Sequence, residues 1–166
     1  MEVFFMSMNL ANSVSLSNKE RSLLEDQKSH EAMCIQKYTN YANQARDSQL
    51  KQLFLNNASI EQEHLNSINT ILQGQVPDTN NKQNTNNINS NMNSSSSSAG
   101  SQVSDADMCK DMLMTEKYIS GTYDTSIFEF KDTNVRNVLN HIQKEEQQHG
   151  ESIYKYMESK GLYSIQ

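Results

Sequence analysis

Proline is nearly absent, one in 166 residues, and there are only five glycines and no tryptophan. So few chain breakers argue against an all-β protein, whose turns depend on them, and favour helix. Cysteine is scarce too. Cys34 and Cys109 are the only two and form no Cys-x-x-Cys pair. That excludes a disulfide scaffold and a rubredoxin-type or zinc-ribbon module, and makes a reduced compartment the default. The net charge is −6 and no block of basic residues stands out, so nucleic acid is not expected as a partner. No stretch is long and apolar enough to span a bilayer, so none is expected to enter a membrane. The opening MEVFFMSMNLANSV lacks the basic segment and long apolar run of a signal peptide. Codons for Met1 to Val3 can contain GGAGG, with Phe4 and Phe5 as a spacer. Residues 1–5 therefore read as a ribosome-binding site, with translation starting at Met6.

Hydrophobic content is 35%, low for a globular chain, and one tract accounts for most of the deficit. Residues 73–103 are dominated by Asn and Ser and have almost nothing to bury, so they read as a disordered linker. The rest divides into an N-terminal extension, 1–16, and two segments of similar length, 17–72 and 104–163. These segments look like copies offset by 85 positions. Glu31 pairs with Glu116, Tyr38 with Tyr123, Glu61 with Glu146, Gln62 with Gln147, His64 with His149 and Ile68 with Ile153. Leu50, Leu53, Phe54 and Leu72 find apolar counterparts in Val135, Val138, Leu139 and Met157. Each half alone would expose its apolar face, so the repeat calls for one shared core.

Each half reads as a helical hairpin. Leu24, Cys34, Ile35, Tyr38, Tyr41, Ala42 and Ala45 recur at helical spacing, as do Leu50, Leu53, Phe54, Leu65, Ile68, Ile71 and Leu72. Met112, Leu113, Ile119, Tyr123, Ile127 and Phe130 mark a third helix; Val135, Val138, Leu139, Ile142, Ile153, Tyr156 and Met157 mark a fourth. Asp47 or Ser48, Ser104 or Asp105, and Asp132 or Thr133 are candidate caps, and Gly161 a candidate stop. The expected fold is all-α: a four-helix bundle of two repeated hairpins joined by a long crossover. Extended, residues 73–103 reach ~100 Å, ample for helices of ~33–40 Å.

Polar residues interrupt these stripes at matched places. Glu31 and Glu116 point inward on the first and third helices. Glu61 with His64, and Glu146 with His149, interrupt the second and fourth. Residues three apart share a helix face, so each Glu-x-x-His offers a carboxylate and an imidazole to one ion. Four buried carboxylates would repel one another without cations to offset them. The order Glu, Glu-x-x-His, Glu, Glu-x-x-His is the di-iron or di-manganese carboxylate pattern. The expected metal ligands are therefore Glu31, Glu61, His64, Glu116, Glu146 and His149, holding two divalent ions, iron or manganese. Glu61 and Glu146 would bridge; Glu31 and Glu116 would be terminal. The bland alternative is a duplicated sequence that kept its shape without metal, its Glu and His residues hydrogen-bonded in the core. No residue announces itself as catalytic. Tyr38 and Tyr123 read as core packing before support for the site, and Cys34 as a small buried hydrophobe. His30 and His141 look like ordinary polar residues, Glu63 and Glu145 look solvated, and the methionines belong to core and linker.

Residues 105–163 also resemble the coat F domain of bacterial spore coat proteins. The shared features are TEKYISGTYDTSIFE, the turn DTNVRNVL, the run IQKEEQQHGESIYKYM and the closing KGLY. The N-terminal half resembles the same domain more faintly, through Glu31, Tyr38 and IEQEH. The resemblance implies a ferritin-like four-helix fold, synthesis in the mother cell and a place in the endospore coat. It implies other spore coat proteins as partners and leaves room for a homo-oligomer. It does not imply an enzyme. Both halves keep a full ligand set, however, which brings the chain nearer rubrerythrin-like and manganese-catalase-like relatives. A structural coat component, a di-metal enzyme acting on peroxide or oxygen, and a metal-storage protein are the three competing functions.

Overall fold

The computed structural model describes residues 12–78 and 102–163. The expected start at Met6 and most of the expected linker lie outside them. Four helices follow in order: α1 Asn18–Gln44, α2 Ser48–Leu72, α3 Asp105–Glu129 and α4 Thr133–Ser159. They form a four-helix bundle of two hairpins, with no strand among the described residues. The expected all-α architecture is what the chain adopts.

Local chemistry sets the helix ends. Ser17 caps α1 in a capping box with Glu20, Asp47 caps α2, Ser104 caps α3 and Asp132 caps α4. Each side-chain oxygen accepts a bond from a first-turn N–H that would otherwise lack a partner. Gly74 and Gly161 follow the ends of α2 and α4 with φ of 85° and 66°, a conformation that other residues rarely adopt.

Within each hairpin the helices are joined by a tight turn. Between hairpins, α1 packs on α3 and α2 on α4. Tyr38 meets Glu116 while Tyr123 meets Glu31, so α1 and α3 run antiparallel. It follows that α3 begins at the opposite end of the bundle from where α2 stops, a separation of ~37 Å at ~1.5 Å per residue.

The hairpins hold each other's turns reciprocally. Glu20 at the start of α1 accepts the backbone N–H of Lys131 in the α3–α4 turn at 3.0 Å. Asp105 at the start of α3 accepts those of Arg46 and Asp47 in the α1–α2 turn at 2.9 and 3.0 Å. Glu20 and Asp105 are 85 positions apart, as are Arg46 and Lys131, so the repeat is a structural near-twofold.

The structure adjusts two expected boundaries. Residues 12–16 are not a free extension, and 73–76 are not free linker. Val14 N–H bonds Gly74 O at 2.9 Å, Val76 N–H bonds Asn12 O at 2.8 Å, and Ser13 and Gln75 form an antiparallel bridge. Val14, Leu16 and Val76 pack on the core beside α2. Val14 and Leu16 in the extension and Val76 within the polar tract give those few positions something to bury.

The core has two apolar clusters. One gathers Leu24, Ile68, Ile71, Val135, Leu139 and Ile142; the other gathers Tyr38, Leu50, Phe54, Met112, Ile153 and Met157. Fully burying such a side chain stabilises the fold by roughly 1.5–3 kcal/mol. Between the two clusters lies a polar layer.

Candidate metal centre

That layer contains all six residues expected as ligands. Glu31 comes from α1, Glu61 and His64 from α2, Glu116 from α3, and Glu146 and His149 from α4. Each is at most 2% exposed. The helix geometry explains the convergence. Each Glu-x-x-His spans one turn, and each single Glu stands on the buried stripe of the facing helix.

Their donor atoms fall into two sets. Glu31, Glu61, His64 and Glu146 bring donors within 4.8 Å of one another, as do Glu61, Glu116, Glu146 and His149. Glu61 and Glu146 belong to both. Glu61 directs Oε2 to His64 Nδ1 at 3.1 Å and Oε1 to His149 Nδ1 at 3.2 Å. Glu146 directs Oε1 to His64 Nδ1 at 3.4 Å and Oε2 to His149 Nδ1 at 3.5 Å. Glu31 faces only His64 Nδ1, at 3.6 Å, and Glu116 only His149 Nδ1, at 3.5 Å. The imidazoles stack with ring centres 5.8 Å apart.

Hydrogen bonding leaves much of this layer unsatisfied. Glu31 Oε2, Glu61 Oε1, Glu116 Oε2, both Glu146 oxygens and both His149 nitrogens are buried without a hydrogen bond among the described residues. Buried polar atoms are ordinarily paired, and such a concentration needs a physical reason. The orphans lie on the two donor sets, so divalent cations, hard enough for carboxylate and borderline enough for imidazole, fit this chemistry.

Protonation follows the same logic. Burial pushes the Glu31 carboxyl up to about 8, and neighbouring Glu146 and Glu61 add to the rise. Burial likewise raises Glu116 well above its ordinary range. For Glu61 and Glu146 burial also pushes upward, but the nearby His149 and His64 imidazoles outweigh it and hold both carboxyls low. Burial disfavours charge on His149, yet Glu116, Glu146 and Glu61 raise its imidazole to about 11. Burial opposes charge on His64 as well, and Glu145, Glu146, Glu31 and Glu61 overcome it. Burial thus favours the neutral form of Glu31 and Glu116, and the surrounding carboxylates favour the charged form of both imidazoles.

Three expectations about neighbouring residues change. Tyr38 and Tyr123 do more than fill the core: the Tyr38 hydroxyl donates to Glu116 and that of Tyr123 to Glu31, each crossing to the other hairpin. Both tyrosines repeat at the same offset as the glutamates, and that signal pointed to this role. Glu145 is half-buried rather than fully solvated. Its carboxylate lies 2.8 Å from His64 Nε2, on the side of the ring away from the donor set. No motif marks it, because its 85-residue counterpart is Ile60. His141 is not isolated either, with Nε2 3.4 Å from Glu145 Oε1. Asn57, also absent from the expected site, is buried and donates to the Tyr38 hydroxyl at 3.2 Å. Glu63 is exposed, as expected, and Cys34 is buried, with burial pushing its thiol far up.

Comparison with known proteins adds family and fold. Residues 104–166 match the Coat F domain. No curated protein matches the chain by sequence. Among solved structures, the chain resembles a two-domain protein from Anabaena variabilis that contains DJ-1/ThiJ/PfpI-like and ferritin-like domains. The TM-score is 0.67 at 14% identity, over 92% of this chain and 40% of that one. The chain thus spans well under half of that protein's length, and the likeness is one of fold. Residues 104–166 are thus similar to the Coat F domain, and the described residues adopt a ferritin-like four-helix fold.

Proposed function

We propose that the protein is a component of the bacterial endospore coat whose ferritin-like bundle holds two divalent metal ions, iron or manganese. The Coat F domain supports the place in the coat, and with it synthesis in the mother cell and other coat proteins as partners. One observation carries the metal reading. Two four-residue donor sets share Glu61 and Glu146, and their buried atoms lack hydrogen bonds. In this reading Glu61 and Glu146 would serve both ions, with Glu31 and His64 completing the donors for one and Glu116 and His149 for the other.

Two redox-active ions so held would supply electron transfer to or from oxygen or peroxide. The chain's own part is to fix the donors, exclude bulk water and hold protons. Tyr38 and Tyr123 orient the terminal carboxylates by donating to them, and Glu145 holds the His64 ring by accepting from its outer nitrogen. Serving the coat as a structural block requires only the folded bundle. Protection from peroxide would require turnover as well.

Metal analysis of protein purified from its sporulating host tests the reading, with Glu61→Ala and Glu146→Ala alongside. The expected result is about two ions per chain in the native protein and a loss of both in each variant, since each residue serves both positions. Metal-free native protein, with helical circular dichroism unchanged in the variants, would leave a purely structural coat protein.

A further inference from the structure

The 85-residue repeat places equivalent residues around the two donor sets, and three of the positions where it fails bear on them directly. Glu145 corresponds to Ile60, Gly150 to Leu65 and Ser120 to Ile35.

The first difference acts behind the imidazoles. His64 Nε2 has the Glu145 carboxylate 2.8 Å away, and Glu145 in turn has His141 at 3.4 Å. His149 Nε2 is buried without a hydrogen bond among the described residues. A carboxylate behind a metal-binding imidazole fixes the ring and makes it a stronger donor. Removing such a partner typically costs about 10–100-fold in metal affinity.

The other two differences act on access. A cavity of about 370 Å³ lies between α3 and α4, walled by Leu113, Ser120, Gln147 and Gly150, with Glu116 and Glu146 in its lining. Glu116 belongs to the His149 set alone. Glu146 belongs to both sets, and none of Glu31, His64 and His149 lines this space. At the equivalent places between α1 and α2, half-buried Ile35 and Leu65 replace Ser120 and Gly150. The smaller Ser120 and Gly150 thus stand beside the α3–α4 cavity, and larger residues hold the equivalent places in the other half.

We propose that the two metal positions are unequal: the His64 position retains its ion, and the His149 position exchanges with solvent through the α3–α4 cavity. This rests on the di-metal reading of the centre. Its test is removal of Mn²⁺ from the loaded full chain by excess EDTA, with protein-bound metal measured by mass spectrometry at timed intervals. The expected course has two phases of one ion each. Gly150→Leu, which places the residue of the other half in the cavity, slows the fast phase several-fold and leaves the total bound unchanged. Gly150→Ala puts a Cβ 3.7 Å from Leu113 Cδ1, an ordinary contact, and slows the same phase less. This keeps the test intact should the larger side chain disturb folding. Glu145→Ile, copying Ile60, speeds the slow phase by about 10–100-fold. Two ions leaving together in one phase, or Gly150 variants slowing both phases alike, would overturn the inequality while leaving the di-metal reading standing. Failure to bind two ions at saturation would overturn both.

Discussion

At the scale of single residues, protons take the place of metal charge. In the metal-free protein Glu31 stays protonated to about 8 because of burial, against an ordinary 4.5, and His149 stays protonated to about 11, against 6.5. Near neutral pH and above, the folded state therefore binds more protons than the unfolded chain, so stability falls as pH rises. The Glu31 contribution is complete below 4.5 and is lost as pH rises through about 8; that of His149 is complete below 6.5 and is lost toward about 11. Glu61 and Glu146, held low, act oppositely and weaken the fold in acid. The melting temperature of chelator-treated protein should thus fall steadily from about pH 7 to 10, and Glu31→Gln should flatten the lower part of that slope. A flat or rising profile would show that these groups are not protonated in the fold. The six ligand candidates were legible in the sequence because they repeat at one offset and stand on apolar stripes. Glu145 and Asn57 were not, since each finds its partner on another helix and neither has a like counterpart in the repeat.

At the scale of helices, caps decide where each element begins, and cross-hairpin bonds decide how the elements sit. Asp47, Ser104 and Asp132 were readable as caps because a short polar side chain precedes a periodic apolar run. The bonds from Asp105 to the Arg46 and Asp47 backbone were not readable, because they link positions 58 and 59 residues apart. Asp105→Ala strips two turn N–H groups of their acceptor. A cost of roughly 1–3 kcal/mol is expected, measured as a lowered midpoint in urea with an unchanged slope. Glu20→Ala should act in the same direction on the other turn, with loss of its capping box added. The bridge joining residues 12–14 to 74–76 also escaped the sequence reading, since the polar composition around it hides three apolar side chains.

At the scale of the whole molecule, neither half completes the centre. The half that matches the Coat F domain supplies Glu116, Glu146 and His149; the other supplies Glu31, Glu61 and His64. Each donor set draws on both hairpins, and each hairpin braces the other's turn. A protease site inserted near residue 90 and cleaved in the folded protein should therefore leave one particle with both fragments and its metal. Size-exclusion chromatography checks this, and fragments that separate would show that the hairpins do not hold each other.

The near-twofold relation has one more consequence. A bundle with this symmetry could also be made by two identical hairpin chains. Such a dimer would dissociate on dilution, and every substitution would appear in it twice. Joining the hairpins makes their association intramolecular and independent of protein concentration. It also lets each half change alone, so a glutamate can stand behind one imidazole while an isoleucine holds the equivalent position in the other half, an asymmetry denied to a chain that must pair with its own copy.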